Sequence, residues 1–221
     1  MEARRLKRVN QSLASVHTDA RIAHILNKYG NRALVTTSFG TTSVLLLHMI
    51  SRIKHDFPIH FVDTGYLFPE TLEYRDELIR RFDLNVITHK PNPTIHKETK
   101  EIRLWESNPD LCCAKNKIDP VQNILKEENF EVWISGLLGF QNDYRTGLEI
   151  LQKKKGLFRF YPLIDWSKQL VNEYIEYHGL PRHPLERIGY SSVGCTHCTV
   201  QGKGRDGRWN GSGKSECGLH T

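Results

Sequence analysis

Five cysteines in a chain of 221 residues fall in three places: Cys112 beside Cys113, Cys195 and Cys198 as a C-x-x-C, and Cys217 alone. Adjacent cysteines seldom pair with each other, and the pattern is not that of a disulfide-rich secreted scaffold. The sensible division is four plus one. Four thiolates suit a tetrahedral zinc or an iron–sulfur cluster, and spacing alone does not choose between them. Four unliganded buried cysteines, or a C-x-x-C acting as a dithiol, are the plainer readings. The fifth thiol, Cys217, is then a free surface cysteine or a nucleophile. Lys214 and His220 favour its thiolate, Glu216 opposes it, and nearby glycines let the segment swing. Arg205 and Arg208 share this stretch, and their guanidinium forks match phosphate or sulfate oxygens.

A second candidate is the turn Ser38-Phe39-Gly40-Thr41-Thr42-Ser43. It lies between a β-prone run at 33–37 and an apolar helix expected over 44–53. Small residues there let main-chain N–H groups reach an anion at a helix N-terminus, although an ordinary capped turn has the same composition. The turn lacks the Gly-Lys-Ser/Thr ending of a Walker loop. It resembles the phosphate loop of ATP-pyrophosphatases, with Thr42 standing where that loop carries its acid.

The elements that must position these groups alternate. A helical lead-in is expected over 4–29. Strands follow at 59–62, ending at Asp63-Thr64-Gly65, then at 86–88 and 132–136, with an edge strand at 158–164. Helices are expected from Pro69, over 118–128 and over 167–178. This order predicts an α/β fold with an open, mostly parallel sheet flanked by helices, whose ligands bind beyond the carboxyl ends of the strands. From Gly189 the composition changes: Gly194, Gly202, Gly204, Gly207, Gly211, Gly213 and Gly218 crowd the remainder. The expected organisation is an α/β unit over 1–188 and a Gly-rich, mobile, site-bearing tail over 189–221 that belongs to it.

A hydrophobic fraction of 38% suits a soluble globular chain, and no apolar run approaches the roughly 18 residues of a membrane span. Residues 1–10 are basic but lack the apolar stretch of a secretory signal. A cytoplasmic protein without a membrane partner is expected. The formal charge of +6, from 31 basic and 25 acidic residues, suits an anionic partner such as a nucleotide, a phosphorylated metabolite or nucleic acid.

Several motifs, in order, carry a resemblance: Thr37-Ser38-Phe39-Gly40, the run from Asp63-Thr64-Gly65 to Pro69-Glu70-Thr71, Tyr161-Pro162-Leu163-Ile164-Asp165-Trp166, and Glu216-Cys217-Gly218-Leu219-His220. Together they resemble the assimilatory adenylyl-sulfate (APS) and phosphoadenylyl-sulfate (PAPS) reductases over nearly the whole chain. The resemblance implies an adenine nucleotide alpha-hydrolase-like fold, and Cys217 as the catalytic nucleophile. It puts Lys117, Arg205, Arg208 and His220 on the phosphosulfate, residues 38–43 and Asp63-Thr64-Gly65 around the nucleotide, and Arg145 at a family arginine. Cys112, Cys113, Cys195 and Cys198 match the branch that binds a [4Fe–4S] cluster and reduces APS. Thioredoxin or glutaredoxin is implied as reductant, with no nucleic acid and a possible homo-oligomer.

The chain also departs from the family. Leu138-Gly139 occupies the place of an arginine pair, and the phosphate loop looks closer to the PAPS branch. A PAPS or dual-substrate reductase is therefore the alternative. An ATP-pyrophosphatase-type tRNA thiolation enzyme and a zinc nucleic-acid module are the more distant readings.

Overall fold

The computed structural model describes residues 2–209 and 212–220, so Gly211 of the Gly-rich stretch lies outside the described residues. Among the described residues there are ten α-helices and six strands, mixed along the chain. The helices are α1 (Glu2–Ala14), α2 (Thr18–Tyr29), α3 (Ser43–Ile53), α4 (Pro69–Phe82), α5 (Pro93–Glu101), α6 (Leu104–Ser107), α7 (Pro109–Cys113), α8 (Asp119–Glu127), α9 (Asp143–Thr146) and α10 (Lys168–Tyr177). The strands are β1 (Ala33–Thr37), β2 (Ile59–Val62), β3 (Val86–His89), β4 (Val132–Ser135), β5 (Leu151–Lys154) and β6 (Leu157–Phe160). A π-helical turn, Ala114–Ile118, joins α7 to α8.

The sheet has the order β3-β2-β1-β4-β6-β5, parallel except for β5. Its centre is apolar on both faces, as a sheet covered by helices on both sides requires. Leu34 and Trp133 face α8, while Val35 and Ile134 face the larger core built by α2, α3, α4 and α10. The chain runs β1 to β3 in one direction, then crosses back to place β4 beside β1. That reversal opens a crevice between the carboxyl ends of β1 and β4.

Three sequence expectations change. The lead-in is two helices, broken at residues 15–17. The strand expected over 158–164 is β6, which ends at Phe160 and is internal. Lys155 and Gly156, both at positive φ (50° and 81°), form the tight turn that folds β5 back as the true edge. The Asn10 side chain bonds both main-chain groups of Leu151 at 2.8 Å on that edge. Helices α5 to α7 were not expected; Asn92-Pro93 and Asn108-Pro109 start two of them, with the asparagine side chains accepting from N–H groups of the first turn.

Among its described residues, the tail beyond residue 189 has one short 3-10 turn, Thr196–Cys198, and no α-helix or strand, but it is docked. Isolated bridges join Leu67 to Cys195, Tyr190 to Gly202 and Thr199 to Arg208, and Trp209 is buried. No helix among the described residues is long and apolar enough to cross a membrane.

Candidate active site

The crevice between β1 and β4 is a cavity. Ser38, Gly40, Thr41, Thr42 and Ser43 form one wall, and Ser135 and Gly136 lie opposite. The N-terminus of α3 therefore opens onto the cavity, supplying main-chain N–H groups and a favourable dipole to an anion. The loop is braced from the tail, because the Thr41 hydroxyl donates to the Ser191 carbonyl at 3.1 Å. Phe39 is placed differently: its backbone turns at φ 48°, its N–H donates to the Thr37 hydroxyl, and its ring is buried edge-on against Phe61. It shapes the loop from within the core.

Thr64 lines the cavity, whereas Asp63 and Gly65 do not. Asp63 instead accepts the Gly65 N–H at 2.9 Å, closing the turn after β2. Gly65 sits at φ 72°, and a Cβ there would lie 2.7 Å from the His96 ring. These two residues build the turn that places Thr64.

The tail supplies the rest of the cavity. Cys217, Lys117, Arg205, Arg208, Arg145 and His220 all line it. Arg208 is buried, donates to the Val193 carbonyl at 3.0 Å and the Ser192 hydroxyl at 3.3 Å, and lies 4.4 Å over the Trp209 ring. A Cβ on Gly194 would overlap the Arg208 guanidinium, so only glycine leaves room for it. Burial alone would lower Lys117, but the sulfurs of Cys217, Cys195 and Cys113 outweigh it and raise its pKa. The ammonium is held charged between the lone cysteine and the other thiols.

Arg145 is not free for an anion. Its Nε and Nη2 contact Glu216 at 2.5 and 3.1 Å, and its Nη1 contacts Gln141. Nor is His220 a cation beside Cys217. Burial, then Arg145 and Arg159, push its ring down to about 3, and it packs against Trp133 and Tyr161. Lys214 is turned away onto Asp110. The positive charge around Cys217 thus comes from Lys117, Arg205 and Arg208.

Leu138 and Gly139 do not line the cavity. Leu138 is fully buried, and Gly139 packs so tightly that a Cβ would lie 2.6 Å from the Ile164 carbonyl oxygen. On this backbone those positions face the core, so their lack of charge does not alter the cavity wall.

A second, smaller cavity is lined by Cys112, Cys113, Cys195 and Cys198. None of the four is in a disulfide. Asn116 approaches the Cys112 sulfur at 3.8 Å and Thr64 the Cys195 sulfur at 3.4 Å. Burial, followed by repulsion from neighbouring thiols, pushes Cys112 up to about 11 and Cys198 up to about 12. His197 Nε2 and Trp209 Nε1 are buried at this cavity without a partner among the described residues. Among the described residues no three His, Cys, Asp or Glu side chains are set to hold one metal ion. The donor set itself, four thiols with the Trp209 N–H and His197 Nε2 left unpartnered beside them, suits a sulfur-ligated metal centre. Thr64, Lys117, Arg208 and Trp209 line both cavities and form the wall between them.

Sequence reasoning missed Trp209 as that wall and missed Glu216 as the partner of Arg145, Asn142 and Arg205. An acid directly beside a lone cysteine, in a segment with arginines, was the available signal for the second.

The family model described as "Phosphoadenosine phosphosulfate reductase domain" matches residues 32–201. A "Phosphoadenosine 5'-phosphosulfate reductase" of Vibrio vulnificus is 37% identical over 224 residues, covering 98% of this chain and 86% of the relative. An "Adenosine 5'-phosphosulfate reductase" of Bacillus mycoides is 37% identical over 203 residues, covering 88% of this chain and 86% of the relative. The crystal structure of the PAPS reductase from Candida auris, a phosphate complex, superposes with a TM-score of 0.77 at 26% identity, covering 88% of this chain and 95% of that one. An FMN adenylyltransferase of Candida glabrata, at 14% identity and a TM-score of 0.61, shares the fold alone. The chain belongs to the phosphoadenosine phosphosulfate reductase family and is an oxidoreductase acting on a sulfur group.

Proposed function

We propose that this protein reduces APS to sulfite and AMP through a thiosulfonate on Cys217, with thioredoxin or glutaredoxin as reductant. The observation that carries the reading is the placement of Cys217 in the nucleotide crevice with Lys117, Arg205 and Arg208, apart from the other four cysteines. A thiolate and a phosphosulfate repel each other, and these three cations with the N-terminus of α3 offset that repulsion.

The Cys217 Sγ attacks the sulfate sulfur. The bond from that sulfur to the bridging oxygen breaks, and its electron pair leaves with AMP. Lys117 and Arg208 face the oxygens on which charge develops. A thiolate of the external dithiol then attacks Cys217 Sγ, and the electron pair of the S–S bond leaves with sulfite. The second thiol resolves the mixed disulfide and returns Cys217 as a thiolate. The dithiol is oxidised by two electrons and the sulfate sulfur is reduced by two.

Cys112, Cys113, Cys195 and Cys198 would hold a [4Fe–4S] cluster, which when bound supplies fixed charge beside the site, its irons all ligated by cysteine. Lys117 and Arg208 stand between those sulfurs and the substrate cavity and hold their positive charge there.

Charge favours APS over PAPS. Lys117, Arg145, Arg205 and Arg208 are the cationic side chains of the cavity wall, and Glu216 is its carboxylate. With the Cys217 thiolate, the net charge is about two positive, which balances a phosphosulfate; a 3′-phosphate adds about two negative charges with no further cation to meet them. PAPS or dual use is the alternative, favoured by the loop hydroxyls of Thr41, Thr42 and Ser43 and by relatives named PAPS reductases. Sulfite release from both nucleotides at one ionic strength decides the matter. Higher kcat/KM for APS is expected; a PAPS preference above roughly a hundredfold overturns the assignment.

A further inference from the structure

We infer that Glu216 is the positioning residue of the nucleophile: its carboxylate, clamped by Arg145, Asn142 and Arg205, holds the Cys217 segment in the cavity. The inference rests on the reading of Cys217 as the nucleophile. Among the described residues, the segment 213–220 makes no main-chain-to-main-chain hydrogen bond. Side chains attach it instead. Lys214 reaches Asp110, the Ser215 carbonyl accepts from Arg205 at 2.9 Å, and the His220 carbonyl accepts from Tyr144 at 2.5 Å.

Glu216 is the buried carboxylate of this segment, with its side chain 6% exposed. It accepts from Arg145 Nε at 2.5 Å and Nη2 at 3.1 Å, from Asn142 at 2.9 Å and from Arg205 at 3.4 Å. Burial works against its ionised form, but Arg145 and Arg205 overcome this and hold the carboxyl below its usual range. Each of the three guanidinium nitrogens of Arg145 already has a partner, in Glu216 or in Gln141, so it acts on the substrate through Glu216. The next residue along the chain is Cys217. A segment without backbone pairing takes its position from this clamp, and small misplacement of an attacking atom is costly in rate.

The test is Glu216→Gln, with APS and no reductant under anaerobic conditions. Three quantities are read: the rate of Cys217 sulfonate formation at saturating APS by quenched mass spectrometry, the Kd for AMP by calorimetry, and the alkylation rate of Cys217 by iodoacetamide without nucleotide. Sulfonate formation is expected to fall by roughly tenfold or more, with Kd unchanged within about threefold and alkylation faster. Asn142→Ala removes one uncharged contact and is expected to shift the same quantities less, which keeps the test open if Glu216→Gln does not fold. A Kd that weakens in step with the rate, with alkylation unchanged, overturns the inference, as does no change in any of the three. A wild-type adduct found elsewhere than Cys217 sinks the nucleophile reading instead, and the alkylation rate still tests the clamp.

Discussion

The main-chain N–H of Trp209 donates to the carbonyl oxygen of Cys198 at 2.9 Å. Val200 bonds Gly207 the same way, and Thr199 bridges Arg208. The cysteine loop and the arginine loop are therefore two arms of one short hairpin. Whatever the four thiols hold also sets where Arg205 and Arg208 stand.

Loss of the proposed cluster should accordingly weaken nucleotide binding as well as turnover. Protein purified without oxygen is expected to carry about one four-iron cluster. Chelator-treated protein, or Cys198→Ser, should bind AMP roughly tenfold more weakly, the worth of about one charge-assisted hydrogen bond. Iron and sulfide analysis with calorimetry checks both; zinc in place of iron, or an unchanged Kd, contradicts them.

Cys217→Ser should abolish sulfite formation while metal content and AMP affinity stay near wild type. The serine keeps the packing but not the thiolate. Residual turnover above a few per cent of wild type would move the nucleophile elsewhere.

Gly194→Ala places a methyl where the Arg208 guanidinium lies. The guanidinium is the far end of a flexible side chain, so the fold should tolerate the change while Arg208 swings out of the cavity. A KM for APS raised by about one power of ten, with a thermal midpoint close to wild type, is the expected result. A large loss of stability would show that the methyl is met by backbone movement.

At Gly139 the obstacle is the Ile164 carbonyl, which cannot swing away. Gly139→Ala should cost about 1–3 kcal/mol of stability and leave the ratio of APS to PAPS turnover unchanged. Urea denaturation and paired kinetics separate the two effects. A changed nucleotide preference at intact stability would return this position to the substrate site.

His60 and His89 share one proton, Nδ1 to Nε2 at 2.9 Å, on adjacent strands. Burial, then His89, pushes His60 down to about 4. Burial also lowers His89, against the pull of Glu127 and Glu128. Unfolded imidazoles bind protons below their ordinary value near 6.5, before the folded pair does. The pair's contribution is therefore intact above that pH and lost as pH falls toward 4. Stability should drop by roughly 2 kcal/mol between pH 7 and 4.5 from His60 alone. His60→Gln keeps a hydrogen-bonding group but cannot titrate, so its thermal midpoint should fall less over the same range; parallel curves would assign the acid sensitivity elsewhere.

The sequence by itself determined the parts whose cause is local. The runs at 33–37 and 132–135 are strands because apolar and β-branched residues dominate both faces, and Pro69 at the first helical position and Ser167 at the N-cap mark two helix starts. The four-plus-one division of the cysteines needed only their spacing, and the two groups do line separate cavities. Tertiary structure decided what depends on partners far along the chain. Arg145 and Glu216, 71 residues apart, neutralise each other instead of meeting an anion. Buried His220 stays neutral, and Leu138 and Gly139 turn toward the core where a family comparison by position would put charge. The place of β6 inside the sheet followed from the tight turn at Lys155-Gly156 and from pairing with β4, which no periodicity in 157–160 encodes. Burial and long-range pairing set which charges survive, and both come into being only when the chain folds.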